Sequence, residues 1–324
     1  MGLLDLAAAN LLSPVILSFA LGLLAALARS DLSIPEAVAK GLSIYLLFAI
    51  GFKGGVSVAE AGLSPVLVGA LLAGLVLSAG LPFLAYALLR AMTALAPLDA
   101  AAVAAHYGSI SIVTFVAGTS VLDSAGIASD GWMVAVAAVM EAPAILSALW
   151  LVSRQGTAQS MDPDLWREIL LNGSIVLLVG SFAIGWITGT DGMARIESFI
   201  VAPFQGVLCL FLLDMGLVAG RGLRNAKGVL TPGLVGFGLL MPPLGGAIGI
   251  GAGLLLGLGT GSTMLFAVLG ASASYIAVPA AMRVALPQAN PSIYLTLSLG
   301  ITFPFNLTLG LPLYLLAARA VTGG

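Results

Sequence analysis

The chain is patterned as long, continuously apolar stretches separated by short polar breaks. Apolar and polar residues do not alternate within these stretches, so they predict helices rather than membrane strands. About 20 apolar residues cross the hydrocarbon core of a membrane as a helix. Taking charges, prolines and glycine clusters as breaks, we predict ten spanning helices, near residues 11–28, 35–58, 65–90, 98–122, 131–152, 168–188, 197–220, 229–258, 263–286 and 292–318.

Composition points to the same class of protein. Of the 324 residues, 60% are hydrophobic and only 8% are charged, a balance that excludes a sizeable soluble domain. The net charge of −2 argues against a nucleic-acid partner, and the single cysteine, Cys209, excludes an intrachain disulfide framework. No zinc-protease, nucleophile-elbow or phosphate-loop motif is present, so we predict that the protein is not an enzyme.

A polar stretch divides the chain into two nearly equal halves. We predict a first five-helix repeat over residues 1–152, a cytoplasmic linker over 153–167 and a second repeat over 168–324. A repeat with an odd number of helices must insert upside down relative to its copy, which gives inverted repeats. Glycine-rich segments at 51–55 and 216–220 close the second and seventh helices and echo one another. The alternative is that small residues recur because they permit close helix packing.

Lys and Arg are distributed unequally between the two sides of this map. Cytoplasmic loops accumulate these residues, and Arg195, Lys53 and Arg319 face the side opposite to the other nine of the 12. We therefore place the linker in the cytoplasm and both termini outside. The first apolar stretch lacks a basic start and a small-residue cleavage site, so we expect it to remain as a span.

Two predicted helices contain interruptions near mid-membrane. The fourth has a flexible glycine followed by serines and β-branched residues, and the ninth has Pro279 after a hydroxyl-rich run. A broken helix exposes backbone N–H groups that bind anions. The alternative is a simple kink at Pro279 with serines bonded back to carbonyls. The predicted anion-binding residues are Gly108, Ser109, Ile110, Ser111, Ile112, Val113, Ser274, Tyr275, Ile276, Ala277 and Val278.

Charged and oxygen-bearing residues inside the spans are candidates for ion binding, because such groups are costly in hydrocarbon. The predicted cation-binding residues are Ser272, Ser274, Thr114, Glu141 and Asn306. Helix–helix hydrogen bonding is the alternative role for the neutral ones. Lys53 and Asp214 occupy corresponding parts of the two halves, so one could neutralise the other. His106, the only histidine, is a candidate proton relay.

The chain resembles the sodium-dependent bicarbonate transporter family of cyanobacteria and other bacteria. The stretches that carry the resemblance are Ile34-Pro35-Glu36-Ala37, Ile50-Gly51-x-x-Gly54-Gly55, Gly108-x-x-Ser111-x-x-Thr114, Glu141-x-Pro143, Ser272-x-Ser274 with Pro279 and Arg283, and Pro287-x-Ala289-Asn290-Pro291-Ser292-x-Tyr294. The resemblance implies a transporter of elevator or rocking type, commonly trimeric, in the bacterial inner membrane. It also implies bicarbonate where the two broken helices meet, and Na⁺ beside it.

The chain departs from that family's usual pattern at three positions. Tyr275 stands where members usually carry an acid, and Ile112 and Val278 stand where they usually carry glycine. The predicted linker is also shorter than that of cyanobacterial members, which argues against a cytoplasmic regulator that docks on it.

The leading hypothesis is a secondary active transporter of a small anion, most simply Na⁺-coupled bicarbonate uptake, with no resident cofactor. The alternatives are a passive anion channel, an H⁺-coupled transporter of another small monocarboxylate, and a membrane scaffold without transport.

Overall fold

A computed structural model describes residues 11–153, 167, 171, 173–225 and 230–323, and these residues contain helices and no strand. The N-terminal ten residues and most of the predicted linker lie outside the described residues. The helices are α1 Pro14–Leu27, α2 Glu36–Ala61, α3 Pro65–Met92, α4 Pro97–Gly108, α5 Ile112–Ser124, α6 Met133–Val139, α7 Pro143–Ser153, α8 Gly173–Ile200, α9 Phe204–Asn225, α10 Pro232–Leu255, α11 Thr260–Ala271, α12 Ala277–Ala285 and α13 Pro291–Thr322.

Eight helical segments in the described part of the chain are long and apolar enough to cross a membrane. Two of them are interrupted, because α4 with α5 forms one segment and α6 with α7 forms another. The helices α1 and α11 are apolar but shorter. The protein is therefore a helical, multi-pass membrane protein.

Several helices begin where a hydroxyl residue is followed by proline. Ser13, Ser64 and Thr231 each accept a hydrogen bond from the backbone N–H three residues later. The proline that follows each one has no N–H to leave unpaired. These starts are local features. The α3 helix begins at the predicted residue 65, whereas α1 and α10 each begin three residues later than predicted.

The structure differs from the predicted helix map at two places. The predicted fifth helix is interrupted, since α6 ends at Val139 and α7 begins at Pro143. The sixth helix was predicted to end at residue 188, and a kink lies there at Gly189. The φ of Gly189 is 56°, in the left-handed region that glycine adopts readily. The helical path then continues to Ile200, so α9 begins later than predicted.

The helices pack as two groups. In the first group, α1 packs along α9 and α2 packs along α8. In the second group, α3 packs on α4 and α7, α10 packs on α11, and α11 packs on the C-terminal part of α13. The two long helices α3 and α10 also contact each other. The two helices with predicted breaks, α4 with α5 and α11 with α12, therefore both lie in the second group.

Glycines allow the backbones of the first group to approach closely. A Cβ atom at Gly55 of α2 would lie 1.9 Å from the Phe182 carbonyl oxygen of α8, and one at Gly216 of α9 would lie 2.1 Å from the Phe19 carbonyl oxygen of α1. Small residues at such crossings are what holds helices together in lipid, where apolar burial gives little drive. Each of the two glycine segments that echo each other in the sequence thus contains a glycine at a close helix crossing.

We expect Gly55→Ala to destabilise the protein by about 1–3 kcal/mol, because a methyl group would separate α2 from α8. The matched control is Gly41→Ala in the same helix, where a Cβ would meet nothing within 4 Å. Thermal melting of the purified protein in detergent measures the difference. Equal melting temperatures for the two variants would contradict this account of the crossing.

Candidate functional site

Two breaks in the helical path, besides the one between α6 and α7, lie inside the protein. The first break separates α4 from α5 at residues 109–111, and the second separates α11 from α12 at residues 272–276. Ser109 and Ser111 have extended backbone, with ψ angles of 156° and 106°. Irregular backbone at this depth survives only where other protein groups pair with it or where it lines a cavity.

The two breaks pair with each other. The Ser274 N–H donates to the carbonyl oxygen of His106 at 2.7 Å, across from one break to the residues before the other. In the opposite direction, the Ser111 N–H donates to Ser272 Oγ at 3.0 Å, and this hydroxyl donates to the Leu269 carbonyl oxygen. The crossing is therefore fixed by hydrogen bonds in both directions, and all of these serines are buried.

Each break also caps the helix that follows it. Ser111 Oγ accepts from the Thr114 N–H at 3.2 Å, and Ser274 Oγ accepts from the Val278 N–H at 3.4 Å. Capping uses only some of the amides in the first turn of a helix. In these first turns, the amides of Ile112, Val113, Ile276 and Ala277 make no hydrogen bond with another described residue.

Three of these four residues, Ile112, Ile276 and Ala277, line one small cavity. It is lined by both breaks, by Glu141 and by Ser174, and among the lining residues of the described chain there is no Lys or Arg. Its free space is about 10 Å³, enough for roughly one water molecule. The site is therefore closed in this conformation and must widen to hold an anion of several atoms.

The break positions differ from the predicted ones. The unwound piece of the second break lies at 272–276, so the predicted anion-binding residues Ala277 and Val278 fall in α12, and Pro279 is the third residue of that helix. Ile112, Val113, Ala277 and Val278 are consequently helical. Their first-turn position still leaves three of these four amides unpaired.

Gly108 has a different role from the expected one. Its φ is not positive, so backbone flexibility is not what the break needs there. A Cβ at Gly108 would instead lie 2.4 Å from Pro82 Cγ and 2.8 Å from Ala144 Cβ. The glycine lets the end of α4 pack against α3 and α7.

The predicted cation-binding residues fall into two clusters. Thr114 and Ser272 both bond to Ser111, and Asn306 donates to the Ala271 carbonyl oxygen at 2.9 Å while accepting from Tyr314. Ser274 is linked to the first cluster because the two breaks bond to each other where they cross. Glu141 forms the second cluster with Ser109, whose hydroxyl donates to it. Among the described residues, no group of three or more His, Cys, Asp or Glu side chains is placed to hold a metal ion.

Glu141 lies in the third interruption, between α6 and α7. Its carboxylate accepts from Ser109 Oγ at 3.1 Å and is 5% exposed. Ser78 of α3 bridges the interruption, donating to the Met140 carbonyl oxygen and accepting from the Ala144 N–H. This break interrupts the helix predicted over 131–152, and its signal in the sequence is Pro143, which cannot donate a helical hydrogen bond.

The other intramembrane charges have partners of their own. Lys53 Nζ lies 4.6 Å from the centre of the Phe204 ring, and the carboxylate that interacts electrostatically with it is that of Asp123. Asp214 interacts instead with Arg221. The expected neutralisation of Lys53 by Asp214 is therefore wrong, because α2 and α9 present these side chains to different neighbours.

His106 is held by its surroundings. Its Nδ1 bonds to the Ala102 carbonyl oxygen, its ring stacks on Tyr294, and its Nε2 has no partner among the described residues. The side chain is fully buried and does not line the small cavity.

Two larger cavities lead to the crossing. One of about 420 Å³ is lined by Arg221, and one of about 940 Å³ is lined by Lys40 and by Ser174, which also borders the small cavity. Met215 and Ile276 line both larger cavities. The crossing is thus approached from the side that carries Lys40 and Arg221.

The sequence profile of the Na⁺-dependent bicarbonate transporter superfamily matches residues 14–319. The chain belongs to this superfamily. Its members are transporters, so the protein is not an enzyme, and anion transport across a membrane is its class of function. A search of curated proteins finds no match.

We expect Gly108→Leu to abolish most anion uptake while leaving membrane insertion intact, because the larger side chain would push α4 away from Pro82 and misplace the crossing. The control is Gly80→Leu on α3, where a Cβ meets nothing within 4 Å. Uptake into proteoliposomes, normalised to inserted protein, is the measurement. Near-normal uptake by Gly108→Leu would refute this role.

Proposed function

We propose that the protein is a secondary active transporter that takes up bicarbonate together with Na⁺. The observation that carries this proposal is the crossing of two interrupted helices, where Ile112, Ile276 and Ala277 line one buried cavity and their backbone amides have no partner among the described residues. Unpaired N–H groups and the positive ends of α5 and α12 attract an anion. Superfamily membership supports bicarbonate as that anion.

The anion in this proposal is held by backbone rather than by a cationic side chain. Ile112 contributes its amide from one side, and Ile276 and Ala277 contribute theirs from the other. Because the lining carries no Lys or Arg, the site binds its anion weakly enough to release it. Ser111 and Ser274 already serve as caps, so their hydroxyls orient the amides.

We propose that ten spans form two inverted repeats, residues 1–152 and 168–324, joined by the linker at 153–167. Helix contacts support this pairing. If α8 and α9 are the counterparts of α1 and α2, the α1–α9 contact corresponds to the α2–α8 contact, and both are extensive. Contacts of α5 with α11 and of α4 with α12 are related in the same way.

We further propose that the two helix groups move relative to each other during transport. The group of α1, α2, α8 and α9 forms the scaffold, and the group with both broken helices carries the anion. Both larger cavities border residues of both groups. If the Lys- and Arg-rich side is cytoplasmic, this conformation has its entrance on the inside, with both termini outside.

The coupling ion is proposed to be Na⁺, bound by the neutral oxygens of Ser272, Thr114 and Asn306 or by Glu141. H⁺ is the second candidate, and a specific observation favours it: Glu141 lies in the cavity wall with only Ser109 donating to it among the described residues. A protonated carboxyl would remove the repulsion between Glu141 and an incoming anion.

A bacterial inner-membrane location, a trimeric assembly and a cytoplasmic regulator stay predictions from the resemblance. A regulator that docks on the linker would have to recognise a segment of only residues 153–167.

The deciding experiment is uptake of radiolabelled bicarbonate into proteoliposomes, with an inward Na⁺ gradient, with an inward H⁺ gradient and with neither. We expect accumulation above the outside concentration only with a Na⁺ gradient. Accumulation driven by an H⁺ gradient alone would show that the coupling ion is H⁺ and not Na⁺. Equilibration without accumulation would identify a channel. A parallel panel of small carboxylates tests the substrate.

We expect Glu141→Gln to weaken the dependence of uptake on the coupling ion, because the amide keeps the shape and loses the charge. The control is Asp123→Asn, whose carboxylate is the partner of Lys53 rather than part of the cavity. Uptake rate titrated against Na⁺ and against pH gives the comparison. An unchanged titration in both series would remove Glu141 from the coupling site.

A further inference from the structure

Two residues lie between the closed site and the vestibule, which we define as the 420 Å³ cavity lined by Arg221. Tyr275, in the second break, borders both spaces together with Ile276. It is only 8% exposed. An anion that moves directly from the vestibule to the closed site therefore passes Tyr275 and Ile276.

The hydroxyl of Tyr275 is unpaired. Its oxygen is buried and lies near Ser111, yet it makes no hydrogen bond of standard geometry with a described residue. A buried phenol normally finds a partner, because an unmade hydrogen bond costs free energy. An unpaired donor beside an anion site is explained if the transported anion completes its bond.

The charged residues in the two cavities beside Tyr275 explain why a neutral donor suits this position. Glu141 is the charged residue in the lining of the small cavity and repels an anion, whereas Arg221 lies in the vestibule. Arg221 can therefore draw an anion into the vestibule without holding it at the crossing. A neutral O–H donor stabilises the anion at the crossing without trapping it.

Aromatic contacts connect the Tyr275 ring to the other helix group. The ring packs edge-to-face on Phe303 of α13 at 5.2 Å, and Phe303 packs in the same way on Phe19 of α1 at 5.3 Å. Phe19 belongs to the group of α1, α2, α8 and α9. A displacement of the two groups changes the support behind Tyr275, which couples the position of this ring to the transport movement.

We propose that Tyr275 donates its hydroxyl hydrogen bond to the transported anion and that its ring is the inner gate of the site. This inference rests on the proposed transport function and adds a specificity-determining residue to it. Ring and hydroxyl have separable effects, since one excludes passage and the other binds.

The first test is Tyr275→Phe in proteoliposomes loaded and assayed with bicarbonate. Losing one hydrogen bond to a charged group should raise KM by about tenfold, while the maximal rate stays within about twofold because the ring remains. The control is Tyr45→Phe on α2, whose hydroxyl donates to the Phe199 carbonyl oxygen away from these cavities. An unchanged KM in Tyr275→Phe would overturn the binding role.

A second measurement guards against a folding defect. Bicarbonate should raise the melting temperature of the detergent-purified wild type and of Tyr45→Phe, and raise that of Tyr275→Phe less at the same concentration. Equal shifts in all three proteins would overturn the inference. Tyr275→Phe should melt no lower than the wild type, since only an unpaired group is removed.

The gate is tested by Tyr275→Ala, which joins the two cavities. This variant should allow bicarbonate flux without a coupling-ion gradient, which Tyr275→Phe should not. Identical behaviour of the two variants would overturn the gating role. A wild type with no saturable uptake would overturn the proposed function itself, whereas saturable wild-type uptake with an unaffected Tyr275→Phe would overturn this inference alone.

Discussion

The absence of water in the hydrocarbon core dictates how this protein can interrupt its helices. Each break exposes backbone groups that lipid cannot satisfy. The two breaks solve the problem for one another, since the Ser274 N–H bonds to the His106 carbonyl and the Ser111 N–H bonds to the Ser272 hydroxyl. Neither break is sustained by its own helix alone, so the crossing is a single structural unit.

The same pairing decides what is left over for a ligand. Hydrogen bonds at the crossing and the serine caps use up the amides of Ser111, Thr114, Ser274 and Val278. The amides of Ile112, Ile276 and Ala277 have no partner among the described residues, and these three residues line one cavity. The proposed anion site therefore consists of the hydrogen-bond donors that the crossing leaves unpaired. The Tyr275 hydroxyl is one more such donor.

Packing explains how such a site could open. Glycines let α1 lie against α9 and α2 against α8 with backbone in contact, which makes that group rigid. The crossing belongs to the other group, and the cavities of 420 Å³ and 940 Å³ lie where the groups meet. Aromatic contact between Phe19 and Phe303 spans the same boundary. A movement of one group relative to the other would therefore change the size of the cavities while the helix packing within each group stays the same.

The sequence by itself determined the membrane class, most helix positions, the hydroxyl–proline helix starts and the two breaks near Ser111 and Ser274, because apolar length, capping and proline geometry act locally. It also supplied the superfamily resemblance. Only the tertiary structure decided that Gly108 serves packing, that Lys53 faces Asp123 rather than Asp214, that Glu141 lies in a third break, and that the Tyr275 hydroxyl is unpaired. Those outcomes depend on which helices cross and at what depth, and residues far apart in the chain settle that together.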